Sequence, residues 1–154
     1  MITVYRLLKS RYDSDPLNPD GAKRYGGRWN SKGVPMVYAS DSISLAALEK
    51  LVHLHRSDVL NAYSLCAITL SEKNVMSLDS KSLPSDWRED PAPASTIAIG
   101  DDWIASADSL GLWVPSTIIP EQHNMLINPD HSDFENLIKK TKVNQFIFDS
   151  RLAE

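Results

Sequence analysis

The sequence predicts a single α+β domain, on three observations. Its 154 residues suit one domain and are enough to form a core without staples. Apolar runs of strand length, such as AYSLCAITL at 62–70, follow one another without regular alternation with helices. One long helical pattern stands among them, SDSISLAALEKLVHLHRS at 40–57. Hydrophobic residues at 42% and charged residues at 23% are ordinary for a globular chain. A net charge of −4 argues against a general nucleic-acid binder, which needs a basic face, and leaves room for a local basic pocket. With Cys66 the sole cysteine, no disulfide can form within the chain and no multi-thiolate metal site can be built; its apolar run predicts a buried strand thiol. The opening MITVYRLLKS lacks the apolar segment of a signal peptide and no run reaches membrane-spanning length, so the expected compartment is the cytoplasm.

Along the chain, ITVYRLL (2–8) alternates enough for a first strand. Residues 10–33 are polar and rich in Gly, Pro, Asp and Asn, and read as a long loop, a length that in a compact domain points to function. MVYAS (36–40) is a short strand. In the helix 40–57, Asp41 or Ser42 can cap the N-terminus, and Leu45, Leu48, Leu51, Val52 and His55 fall at helical spacing. AYSLCAITL is a buried strand. Residues 79–93, with three prolines and several charges, form a surface connection. A helix over 94–109 is capped by Ser95, with Gly100 as a blemish. LWVPSTIIP (112–120) is strand-like but interrupted by Pro115, HNMLINP (123–129) is a further short strand, DFENLIKKTK (133–142) an amphipathic helix and FIFDSRL (146–152) a terminal strand.

Four places have side chains suited to chemistry. Gly26-Gly27-Arg28-Trp29-Asn30 sets a planar guanidinium fork, suited to phosphate or carboxylate, beside glycines that allow close backbone approach. The loop is neither G-x-G-x-x-G nor a Walker loop, so no standard nucleotide fold follows from it. Tyr38 offers a ring that can stack on a flat, cationic ligand or simply pack in the core. Glu49 lies beside the apolar stripe of its helix, at the solvent margin or in a polar cleft, with His53 one turn on as a hydrogen-bond partner. Ser116 follows a strand-breaking proline, which can turn its hydroxyl and amide towards a ligand. Nothing orients His123 or His131 towards Ser116 as a triad would require, and the histidines lack zinc-site spacing.

Taken in order, Tyr5-Arg6, GGRWN with VYAS, SLAALEKLVH, VPS followed by Asn124 and NP-x-H, and a closing FxxDSRL resemble the RES-domain family, the toxins of bacterial RES–Xre toxin–antitoxin pairs. The pattern runs from Tyr5 to Leu152, so the whole chain, 1–154, reads as one RES domain. Arg28, Glu49 and Ser116 match the Arg, Glu and Ser for which the family is named, and Tyr38 matches the tyrosine of its VYAS strand. The resemblance implies a fold related to ADP-ribosyltransferases and an activity on NAD as substrate, by hydrolysis or phosphorolysis, or else ADP-ribosyl transfer to a protein. It implies no metal. It also implies an Xre-type antitoxin with a helix-turn-helix part that covers the active site and links the toxin to DNA only indirectly.

The residue types suit that chemistry. Cleaving the nicotinamide–ribose bond builds oxocarbenium-like charge, which a carboxylate such as Glu49 would stabilise. Arg28 would clamp phosphates or hydrogen-bond to ribose, with Arg6 as a further candidate for the phosphates; Gly27 would let NAD come close; Tyr38 would stack on nicotinamide; and Ser116 would orient a ribose or carboxamide group. A reading of another class is a non-catalytic nucleotide- or RNA-binding module, with Arg24, Tyr25, Arg28 and Trp29 as a stacking and phosphate patch.

Overall fold

Seven strands and four helices account for the regular structure. The strands are β1 (Ile2–Lys9), β2 (Val37–Ser40), β3 (Tyr63–Leu70), β4 (Val75–Ser77), β5 (Gly111–Pro115), β6 (His123–Ile127) and β7 (Lys142–Phe146). The helices are α1 (Asp20–Tyr25), α2 (Ile43–Leu51), α3 (Ala94–Ser106) and α4 (Phe134–Lys140). The computed structural model describes residues 1–154. The strands form one sheet in the order β4-β5-β6-β2-β1-β3-β7, with every neighbouring pair antiparallel except the parallel β4 and β5. The α+β class is as the sequence predicts.

Strand alternation sorts the core into two faces. On one face Val4, Leu8, Cys66, Ile68 and Met125 join Phe134 and Leu137 of α4. On the other, Leu112, Val114 and Leu126 meet Trp29, Met36 and, from α3, Trp103 and Ile104. Leu7 and Tyr63 form a third cluster with Val59 and Phe148, against which Ala47 and Leu51 of α2 pack. Each such apolar side chain, fully buried, stabilises the fold by about 1.5–3 kcal/mol.

The seam between β1 and β2 organises the site. β1 pairs with β3 along its whole length, from Ile2–Leu70 to Lys9–Tyr63. With β2 it shares the single register pair Tyr5–Ser40. β2 instead pairs throughout with β6, from Val37–Ile127 to Ser40–Asn124.

Several elements differ from the sequence reading, each for a local reason. The 10–33 loop contains α1, whose residues are all at least partly exposed, so no apolar period marks it. α2 is shorter than 40–57: Ser42 caps it by accepting from the Leu45 amide at 3.1 Å, and 3₁₀-type bonds from His53 and Leu54 close it. Val52, counted in the apolar stripe, is 58% exposed. α3 starts after Pro93; Ser95 donates to Asp86 Oδ1 at 2.6 Å rather than capping the helix. The terminal strand is not 146–152 but β7 at 142–146, while Phe146 and Phe148 pack edge to face at 5.1 Å and residues 150–153 form a 3₁₀ turn. β4, three residues long, carries no period to read. No helix is long and apolar enough to cross a membrane.

Candidate active site

β2 is the hub of the site. Its short VYAS run makes polar connections in three directions. At Tyr38 the carbonyl accepts from Arg6 Nη1 at 3.2 Å, across the β1–β2 seam. The Tyr38 hydroxyl accepts from the Trp29 amide at 3.1 Å and donates to Asn30 Oδ1 at 2.6 Å. At Ser40 the hydroxyl donates to Asn124 Oδ1 at 2.7 Å.

Asn124 carries the connection to Glu49. Its Nδ2 donates to Glu49 Oε1 at 2.6 Å, and Ser116 Oγ donates to the same oxygen at 2.8 Å. Ser116 is fully buried and its Oγ accepts from the Ile118 and Ile119 amides at 3.1 and 3.2 Å. Glu49, on α2, is half-buried, and its second oxygen, Oε2, accepts no hydrogen bond. One carboxylate oxygen is therefore locked by two donors and the other is uncommitted. The His53 partner suggested by helical spacing does not form: His53 lies past the end of α2 and is exposed. The Ser116 amide bonds the Gln122 carbonyl at 2.9 Å, so it faces its own turn rather than a ligand.

The Gly26–Asn30 loop is shaped by contacts within the protein. Gly26 takes φ +73° at the end of α1, where glycine is favoured. A Cβ on Gly27 would lie 2.7 Å from the Tyr38 hydroxyl, so the close approach here is to Tyr38. Asn30 Nδ2 donates to the carbonyls of Ala22 and Val34 at 2.8 and 3.0 Å. On the other side the Ser31 amide donates to Asp101 Oδ1 at 2.9 Å, and the Ser31 hydroxyl bonds Asp101 Oδ2. Thr96 Oγ1 donates to the Arg28 carbonyl at 2.7 Å. Burial raises the Tyr38 pKa well above the usual tyrosine value, which keeps its proton available for Asn30. Trp29 is 3% exposed, so it offers no face to a base, and the stacking patch of the RNA-binding reading lacks its tryptophan.

Neither Arg6 nor Arg28 has a carboxylate partner. The two ion pairs of the chain are the Met1 amino group with Glu72 and Arg151 with Asp149, both exposed to solvent. Arg6 Nε is buried without any hydrogen-bond partner, and burial lowers the pKa of its guanidinium. Arg6 thus keeps a buried donor that no group of the protein satisfies. No cluster of three or more His, Cys, Asp or Glu is placed to hold a metal ion.

A cavity of about 420 Å³ opens beside the turn that follows β5, lined by Asp41, Trp87, Trp113, Pro115 and His123 among others. His123 and Asn124 are successive residues of β6, so their side chains leave the strand on opposite faces; the cavity takes the first and the Glu49 cluster the second.

Arg6, Tyr38, Glu49 and Ser116 are thus joined through β2 and β6, and Arg28 is carried by the loop that Tyr38 holds. The sequence places Ser40 and Asn124 within motifs without giving either a role, and the part Asn30 plays in holding Tyr38 is not visible in it. Asn124 carries a visible signal, a polar residue next to the apolar run MLI.

The RES domain family matches residues 3–149. "Toxin Res" of Yersinia enterocolitica is 43% identical over 149 residues, which are 97% of this chain and 98% of that protein. The "Prs ADP-ribosylating toxin" of Sphingobium sp. is 41% identical over 145 residues, 92% of this chain and 89% of that one. The crystal structure of the M. tuberculosis MbcT–MbcA toxin–antitoxin complex contains a chain of the same fold, with a TM-score of 0.74 at 20% identity, covering 99% of this chain and 86% of that one.

Proposed function

Because the chain belongs to the RES domain family, we propose that it is the toxin of a toxin–antitoxin pair and that it cleaves the nicotinamide–ribose bond of NAD. The observation that carries the reading is the state of Glu49: Oε1 is held by Ser116 and Asn124, and Oε2 is unengaged. A carboxylate fixed in this way needs no reorganisation when positive charge develops on the ribose, which is the condition for electrostatic stabilisation of an oxocarbenium-like transition state. Arg6 and Arg28, without carboxylate partners, suit the pyrophosphate. Ser116 acts on the substrate through Glu49. Tyr38 holds the Arg28 loop, and its ring remains the candidate for nicotinamide.

The acceptor of the ADP-ribosyl group is water or phosphate in this reading. Transfer to a protein is the second reading, favoured by the 41% identity to a toxin named for ADP-ribosylation. The partner is an antitoxin of the Xre type that covers the site, in line with the toxin–antitoxin complex that shares the fold.

The test is incubation of the purified chain with NAD alone, with and without phosphate, following nicotinamide release. Rapid release without added protein supports cleavage, and dependence on phosphate separates phosphorolysis from hydrolysis. Release that requires a protein acceptor, which becomes labelled, supports transfer instead. No release under any of these conditions overturns the reading.

A further inference from the structure

The connection between β4 and α3 carries no motif, yet one short turn within it is fastened to the site from two sides. Arg28 Nη1 donates to the carbonyls of Trp87 and Glu89, at 3.1 and 2.7 Å. Between them, Arg88 donates from Nε to the Thr117 carbonyl at 2.8 Å, in the turn that starts at Ser116. The segment is closed by its own bonds, Trp87 N to Pro84 O at 3.1 Å and Glu89 N to Asp86 O at 3.0 Å. Asp86 in turn accepts from Ser95 at the start of α3.

The choice of acceptor matters. A guanidinium has five N–H donors, and both of those on Nη1 are used by carbonyls here. Nε and Nη2 make no hydrogen bond within the chain, so the edge they form, two parallel donors suited to a phosphate, is intact. Carbonyl oxygens orient the group without cancelling its charge, whereas a carboxylate partner would compete with an anionic substrate.

We propose that the Trp87–Glu89 turn is the positioning element of Arg28 and that Arg88 is the positioning residue that ties this turn to the Ser116 turn. One network then sets the anion-binding guanidinium and the Glu49 carboxylate in relation to each other. The kinetic part of the test rests on the NAD-cleaving reading; the structural part does not.

The experiment compares Arg88→Ala, Arg88→Lys, Arg28→Ala and the double variant Arg28→Ala/Arg88→Ala. In the ligand-free protein, amide exchange at Ile118 and Ile119 is expected to speed up about tenfold in Arg88→Ala, the scale of one lost hydrogen bond, with little change in melting temperature. The KM for NAD is expected to rise more than kcat falls, Arg88→Lys to restore part of the loss, and the double variant to be no worse than Arg28→Ala. Unchanged exchange in Arg88→Ala, or independent multiplicative effects of the two substitutions, would overturn the proposal. If the parent chain does not cleave NAD, the functional reading fails and the exchange measurement alone decides this one.

Discussion

Ser116 and Glu49, 67 residues apart in the chain, are joined by a 2.8 Å hydrogen bond from Oγ to Oε1. The bond ties the turn after β5 to α2, and Asn124 of β6 reinforces it on the same oxygen. Two of the candidate site residues therefore form one unit, with the serine hydroxyl committed to the carboxylate.

Glu49→Gln separates catalysis from structure. The amide oxygen can accept from Ser116 and Asn124 as Oε1 does, so the fold and NAD affinity are expected to survive. Turnover is expected to fall by roughly 10²–10³, the scale for one lost electrostatic stabiliser. Melting temperature, NAD affinity and turnover on one preparation check this, and near-parental turnover in a folded sample removes Glu49 from the mechanism.

Tyr38→Phe tests what the hydroxyl does. It leaves the Trp29 amide without its acceptor and Asn30 Oδ1 without its donor, in a part-buried setting. The expected cost is about 1–3 kcal/mol of stability, with a raised KM as the Arg28 loop loosens. A stacking role alone would leave Phe close to the parent. Denaturant unfolding and steady-state kinetics distinguish these outcomes.

Features with a period or a motif are the ones legible in the sequence. β1 and β3 can be read because long apolar strands announce themselves, and Arg28, Glu49 and Ser116 stand out as candidates because they sit in motifs. β7 cannot, since an edge strand with the pattern KVNQF needs few apolar residues. The roles of Asn124 and Ser40 are not legible because they depend on strand register, which pairs the two across β2 and β6. The Trp87 and Glu89 carbonyls leave no trace, because backbone acceptors are the same in every residue.

Gly100 reads as a flaw in a helix and is instead a packing requirement. A Cβ there would lie 1.6 Å from the Trp29 carbonyl oxygen, where α3 meets the Arg28 loop. Backbone cannot yield as a flexible side chain can, so Gly100→Ala is expected to cost about 2–3 kcal/mol despite its better helix propensity. Urea unfolding reads the loss; a variant as stable as the parent would mean that helix and loop do not touch in this way.

Cys66 gives a pH dependence of defined sign. Burial pushes its thiol from 9.0 up to about 11, against the lowering effect of the nearby Arg6 charge. Between these values the folded chain keeps a proton that the unfolded chain has lost. The thiol's contribution to stability is therefore complete below about pH 9 and is lost as pH rises through about 11. Lys50 works in the opposite direction: burial, with the charges of Arg6 and Lys9, lowers its pKa, so its contribution to stability rises with pH. The parent curve mixes both, and subtracting the curve of Cys66→Ala isolates the thiol, since the cavity left by the substitution shifts stability by a constant amount. Urea midpoints between about pH 8 and pH 11 are expected to fall more steeply in the parent than in Cys66→Ala, and alkylation of the folded protein at about pH 8 is expected to be slow. Equal slopes in the two proteins would show that the thiol does not titrate as its buried position requires.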